Sequence, residues 1–533
     1  MKGNADDLVY LKRGTKLNPV VNGWYAWTHL VSPLQRAMNI AFRHVPLMRS
    51  FVRNPDTHIA AMRDSSLYGG PFVELGTDDV PAVEALLEHT LTACAPLINL
   101  ARDWKKLDEH LLANARGHSL NDFHANVPDS LGGLVEFFYD INSQPKLRVI
   151  EELLYADPVY NDNYQVVLSH AHEDERFFFM STPLVPRPTD LVLDMRFDDP
   201  RIDLLSALRT HGKPYAEVVK ALDIPESHLE LLDTFLTTAG PGRENRPFDG
   251  EGARMRYFGH GCVLLESKHT SVLIDPMFAW NDGDDDGRYT YNDLPEHIDY
   301  VVISHNHQDH CAPEMLLQLR HRVGLFLVPA NNSGSITDPS VRLMLNALGI
   351  ANVRVMNAFD AVEINGGRIT SLPFPGEHVD LDIYSRHGVH VELEGKAFGF
   401  LVDSDGWDPR LFARIARRMG RRIDALFIGM ECHGAPLTWL YGPLLTKSIT
   451  RRDDESRRLS GLDSKRSLKV VDEFDVGRVY VYAMGQEPWL KYIMGLQYTP
   501  DSIQLKEVAS FLELCTGRGL HAENLYMSHS VEF

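Results

Sequence analysis

The sequence predicts an α/β protein in two parts, an α+β N-terminal domain over 1–245 and a layered α/β C-terminal domain over 246–533. Three observations carry that division. At 533 residues the chain exceeds what one hydrophobic core usually organises. A Gly-, Pro- and charge-rich seam, AGPGRENRPFDGEG, follows a helical pattern at 225–238 and precedes the strand-like ARMRYFGHGCVLLES. Beyond the seam the pattern changes to short β segments separated by turns and helices.

The elements follow in order. Upstream, VEALLEHTLTACAPLINLARDWKKLDEHLLANA has apolar residues at helical spacing, whereas ERFFFMST and TDLVLDMRFD read as strands. Downstream, MRYFGHGCVLLES and HTSVLIDPMF form a strand pair, DYVVISH a buried strand and PEMLLQLRHRVG a helix. GLFLVPA, NVRVMN, RITSLPF, HGVHVELEG, KAFGFLVDSD, DALFIGM and GRVYVYAM supply further strands. Strands alternating with helices, with polar residues left at their ends, imply a layered body whose function sits on those ends.

Composition narrows the classes. With 44% hydrophobic and 24% charged residues the chain reads as an ordinary globular protein, and its net charge of -20 argues against a nucleic-acid partner. Cys94, Cys262, Cys311, Cys432 and Cys515 form no CxxC pair, so neither a disulfide framework nor a thiolate zinc site is expected. The first residues lack a signal-peptide block and no apolar stretch is long enough to span a bilayer, so the expected setting is cytoplasmic, with no membrane partner.

The chemistry concentrates in VVISHNHQDHC. A turn after the apolar strand can project His305 and His307 to one side and Asp309 and His310 towards a neighbouring position, which suits two metals. Asp403, at the end of KAFGFLVD, is the candidate bridge; Asp405 and Asp408 are better read as turn or capping residues. The HxHxDH spacing resembles the metallo-β-lactamase superfamily, as does YFGHGCVLLESKHTSVLIDP with Asp275 closing its second strand. That resemblance covers roughly 254–489 and implies an αββα sandwich.

Two segments depart from that superfamily. SLPFPGEHVD sets Glu377 beside His378, and adjacent residues of an extended chain point to opposite sides, so one of the two is expected to ligate. His378 would resemble a zinc hydrolase; Glu377 would enrich the site in hard oxygen and suit iron. Near VYVYAMGQEPW, where another His is expected, there is none; His433 in GMECHG is a substitute or simply a turn residue. A missing ligand leaves an open coordination position.

With the N-terminal extension, these departures resemble the nonheme diiron β-hydroxylases that act on amino acids tethered to nonribosomal peptide synthetases. The resemblance implies iron ligation by His305, His307, Asp309, His310, Glu377 and Asp403, with Glu377 also catalytic. It implies two Fe ions, O2 as co-substrate, an external electron donor and a reductase to supply it. The implied reaction is β-hydroxylation of an arylalanine, p-aminophenylalanine in the chloramphenicol-type members, held as a thioester on a carrier domain. The alternative is a dinuclear zinc hydrolase, a lactonase, thioesterase or phosphodiesterase.

Carrier docking would need a surface. RLFARIARRMGRR places Arg410, Arg414 and Arg418 at helical spacing with Arg417, Arg421 and Arg422 nearby; a solvated face paired with local acids is the plainer account. The charged stretch 446–467 reads as a mobile loop of the kind that forms lids. Trp407, Trp439, Tyr441 and Trp489 are candidate walls for an aryl pocket and are equally explained as core. The N-terminal domain is expected to dock the carrier or to form a homodimer.

Overall fold

The computed structural model describes residues 6–160, 163–170, 176–241, 247–280, 287–376, 378–420 and 422–533. In the N-terminal part the helix Ala95–Asn114 buries Leu97, Ile98, Ala101, Trp104, Leu107 and Leu111, the stripe that its apolar spacing dictates. Helix Val80–Ala93 packs beside it, and Val45–Arg53 packs in turn against Val80–Ala93. They share a core with an antiparallel sheet ordered Trp24–Tyr25, Thr15–Val21, Tyr164–His170 and Leu191–Asp194. The last strand realises LVLD. RFFFMST is not a strand: Phe178, Phe179 and Met180 are buried in turns, with the Phe178 amide donating to Glu74 and the Phe179 amide to the Tyr492 carbonyl. Aromatic burial between the two parts of the chain, not strand pairing, explains that apolar run.

The C-terminal part is an αββα sandwich. Arg254–Gly259, Cys262–Glu266 and Ser271–Ile274 form an antiparallel meander, continued in parallel by Ile298–Val302, Val323–Pro329 and Val353–Met356; His529–Glu532 closes the other edge. The second sheet runs Ala361–Ile364, Gly367–Leu372, Gly388–Leu393 and Lys396–Phe400, then Arg422–Gly429, Asp475–Tyr482 and His521–Asn524. Alternation in Arg422–Gly429 sends Ala425 and Phe427 towards the first sheet, and Leu426 and Ile428 towards the helices Pro409–Met419, Ser464–Val471 and Ile503–Gly517. Residues 446–467 are more ordered than their charge suggests. They hold the helix Arg451–Ser456, capped by the Thr450 hydroxyl and tied by Asp454 to the Thr438 amide and hydroxyl.

The outer face of the first sheet is shared. One hydrophobic cluster joins Leu273, Val301 and Phe326, the helices Pro313–Leu319 and Val341–Ala347, and the N-terminal core around Trp24, Trp27 and Trp104. Arg176 crosses this contact as a bidentate partner of Glu314, at 2.7 and 2.8 Å, with side chains only 9% and 2% exposed. All five cysteines are free thiols. Among the described residues no helix is long and apolar enough to cross a membrane.

Glu151 is a second tie, accepting hydrogen bonds from the amides of Gly334 and Ser340. Burial raises its carboxyl to about 7 against those bonds. The folded state therefore binds this proton more tightly than the unfolded chain, and the associated stability is complete below about pH 4.5 and lost as pH rises through about 7. Its full extent is on the order of 3 kcal/mol. Glu151→Gln, compared with wild type by thermal unfolding from pH 5 to 8, should gain relative stability as pH rises; parallel curves would contradict this.

Candidate metal centre

The loop between Ile298–Val302 and Pro313–Leu319 is held from beneath by Asp275, which is fully buried at the end of Ser271–Ile274. Asp275 accepts from the Ser304 amide at 2.7 Å and the Ser304 hydroxyl at 2.6 Å, and lies 2.8 Å from His310 Nδ1. With Nδ1 engaged, His310 Nε2 faces Asp403 Oδ2 at 3.1 Å. His305 repeats the arrangement: Nδ1 is 2.9 Å from the Ser304 hydroxyl and Nε2 lies 3.5 Å from the same Asp403 oxygen. A hydrogen bond on one ring nitrogen fixes which nitrogen is left to ligate.

Two buried groups result, each with its potential ligand atoms within 4.8 Å of one another: His305, His307 and Asp403, and His260, Asp309 and His310. The division matches the two directions expected of the HxHxDH turn. His260 was not expected. It sits in the hairpin turn of YFGHG at φ +50, with Nε2 3.0 Å from Asp309 Oδ2. Its sequence signal is a histidine flanked by two glycines in an otherwise apolar hairpin. Gly261 is needed there because a Cβ would lie 2.9 Å from His310 Nδ1; at Gly429 a Cβ would lie 2.7 Å from Asp403 Oδ1.

The remaining candidates divide. Glu377 lies outside the described residues. His378, next to it, has its ring 4.7 Å from His307 and neither of its nitrogens bonded. His433 is exposed and belongs to neither group, whereas Glu431, two residues earlier, is pushed well above the usual carboxylate range by burial and by Asp309 and Asp403. Of the four aromatics only Tyr441 reaches the cluster, its hydroxyl 3.4 Å from His307 Nε2. Trp407 is 70% exposed and Trp489 packs behind Gly259.

These residues suit cations. His305 Nε2 and His310 Nε2 are buried and converge on one oxygen without making a hydrogen bond. Burial and neighbouring imidazoles hold His305 well below its ordinary pKa, and burial lowers His307 to about 4, so both present the neutral form that metals require. Burial opposes a charge on His310, yet Asp403, Asp309 and Asp275 overcome it and favour the imidazolium. These carboxylates thus set up a demand for positive charge that a metal would meet.

Comparison with known proteins decides the family. Residues 10–240 match the model of the diiron non-heme beta-hydroxylase N-terminal domain, and residues 254–408 match a beta-lactamase superfamily domain. The 4-amino-L-phenylalanyl-[CmlP-peptidyl-carrier-protein] 3-hydroxylase of Streptomyces venezuelae is 30% identical over 529 residues, covering 98% of this chain and 99% of that enzyme. The chain belongs to the nonheme diiron β-hydroxylases. The crystal structure of CmlA, a diiron beta-hydroxylase from the same organism, superposes with a TM-score of 0.91 at 29% identity, covering 99% of this chain and all of that one. The protein is accordingly a nonheme diiron monooxygenase with a metallo-β-lactamase-fold domain, and the hydrolase alternative is not favoured. The family carries a dinuclear iron site.

Asp275→Asn should weaken iron retention roughly 10–100-fold by leaving His310 without its carboxylate. Gly429→Ala should also lower iron content by crowding Asp403. Metal analysis after dialysis, with circular dichroism to confirm folding, measures both; folded variants with wild-type iron would contradict the assignment.

Proposed function

We propose that this enzyme hydroxylates the β-carbon of an arylalanine, p-aminophenylalanine or a close analogue, held as a thioester on a peptidyl carrier domain. The observation that carries the reading is near full-length similarity to an enzyme named for 4-amino-L-phenylalanine on the CmlP carrier, combined with the paired metal-ligand groups. The proposed iron ligands are His305, His307, Asp309, His310, Glu377 and Asp403, with His260 added beside Asp309. Two ferrous ions there would supply two electrons to O2, so that with two protons one oxygen enters the β C–H bond and the other leaves as water, and an external donor restores the pair.

The chain's own part is arrangement. Ser304 and Asp275 fix the ligand faces of His305 and His310, and the buried position of the cluster limits access by water. Tyr441 places a hydroxyl beside His307, where it can orient a substrate or co-substrate. In an arylalanine the β C–H bond is benzylic and weakened, which suits attack at that carbon. The carrier has a candidate surface on Pro409–Met419. Arg410 and Arg422 pair with Asp408 and Asp424, and Arg418 stacks on Phe359, while Arg414 and Arg417 are exposed guanidinium groups in a chain of net charge -20. Arg421 lies outside the described residues.

The test is incubation of reduced, iron-loaded enzyme with O2 and p-aminophenylalanine, either free or loaded on a carrier domain, followed by mass spectrometry of the released amino acid. Gain of one oxygen on the carrier-bound substrate, at least a hundredfold faster than on the free amino acid, is expected. Equal rates would refute the tethered-substrate reading.

A further inference from the structure

The segment between Gly367–Leu372 and Gly388–Leu393 carries Glu377 and His378, and it is pinned at two points to the metal centre. Gly376 pairs with Ser404, next to Asp403, and Arg386 pairs with His305. Between these points the chain turns through two non-glycine residues in the left-handed region, Val379 at φ +48 and Asp380 at φ +59. An aspartate tolerates that region; a valine, with its branched Cβ, is strongly disfavoured there. Val379 is buried, and its carbonyl oxygen takes two hydrogen bonds from one guanidinium: Arg457 Nε donates at 3.0 Å and a terminal nitrogen at 2.6 Å. On the other side of the Glu377–His378 pair, Arg386 donates to the Gly376 carbonyl.

We propose that Arg457 is a positioning residue for the metal centre: by holding the Val379 carbonyl it keeps the turn after His378 in its left-handed form, and so fixes how the segment carrying Glu377 and His378 meets the irons. The proposal rests on the reading of Glu377 as an iron ligand. Strained backbone persists only where its surroundings over-determine it, and at Val379 the over-determining group is Arg457. Without those two donors the Val379 backbone is free to rotate towards negative φ. With Gly376 and Arg386 fixed, the displacement falls on residues 377–379. His378 shares it directly: its ring is buried, 4.7 Å from His307 and 5.8 Å from His305, and with neither nitrogen hydrogen-bonded no side-chain bond of its own anchors it.

Arg457 suits this task because it is itself firmly held. It follows the helix Arg451–Ser456, and its amide donates to the Asp453 and Asp454 carbonyls at the end of that helix. Asp454 ties the helix to Thr438, Arg458 Nε donates to the Gly434 carbonyl at 2.7 Å, and Thr446, at the start of the stretch, donates to Asp108 of Ala95–Asn114 at 2.6 Å. Metal ligands are held precisely only when the groups behind them are fixed. A guanidinium adds a planar fork that grips one carbonyl from two nitrogens, which a lysine ammonium cannot reproduce.

The experiment compares the full-length wild type with Arg457→Met, which keeps the apolar stem and removes the donors, with Arg457→Lys, and with Arg452→Ala, at an exposed arginine of the same helix. Ferrous, iron-loaded protein is mixed anaerobically with ferrozine, and iron release is followed by absorbance. Release from Arg457→Met should be roughly tenfold faster than from wild type, with Arg457→Lys intermediate and Arg452→Ala unchanged. The ferric absorption of Arg457→Met that still holds its iron should also shift, a change that a loss of packing stability alone does not produce. Arg457→Lys carries the test if Arg457→Met does not fold. Wild-type release with an unshifted spectrum in the folded Arg457 variants would overturn the proposal, as would equal acceleration in Arg452→Ala. Glu377→Ala is the reference for the ligand itself: it should release iron faster than any of these, and wild-type release from it would instead overturn the ligand reading.

Discussion

The metal centre depends on one buried carboxylate. Asp275 has no exposed surface, adopts φ +41 and turns the chain out of its strand, so that its two oxygens meet the Ser304 amide and hydroxyl and the His310 ring. An unpaired carboxylate at that depth would be strongly disfavoured, and these donors are what make it tolerable. The same bonds fix the start and end of the HxHxDH turn. They also choose the nitrogen that His310 presents and, through Ser304, the one that His305 presents. Asp403 arrives from the second sheet against Gly429, so the site forms only when both sheets are in register.

The N-terminal part is joined to this arrangement. Thr28 bonds the Cys311 carbonyl, Tyr25 and Arg176 bond Glu314 four residues beyond His310, and His29 faces Tyr441. Losing one partner of a buried ion pair such as Arg176–Glu314 typically costs about 3–5 kcal/mol, because the other charge is left unpaired. The continuous hydrophobic cluster adds to the same constraint. The N-terminal part is therefore packed directly against the segment that follows the HxHxDH turn and against Tyr441.

Much of this was legible in the sequence. The strand segments of the C-terminal part, the HxHxDH turn and the position of Asp403 follow from alternation and from polar residues set at strand ends, whereas Asp275 was legible only through the resemblance of its hairpin to the metallo-β-lactamase superfamily. His260 was missed because one histidine in a hairpin has no partner spacing to mark it; only folding brings it to Asp309. RFFFMST misled because an apolar run buried between two packed parts looks like a strand. The charged stretch 446–467 misled in the opposite sense, since Thr450 and Asp454 supply caps and ties that composition does not reveal. The ring contact between His29 and Tyr441 joins residues about four hundred positions apart, which no local pattern encodes.

The most direct test of a dinuclear iron site in this chain is anomalous X-ray scattering from crystals of protein purified without added metal, collected on both sides of the iron absorption edge. Two iron peaks are predicted, one among His305, His307 and Asp403 and the other among His260, Asp309 and His310. A single peak, or density that responds at the zinc edge and not at the iron edge, would contradict it.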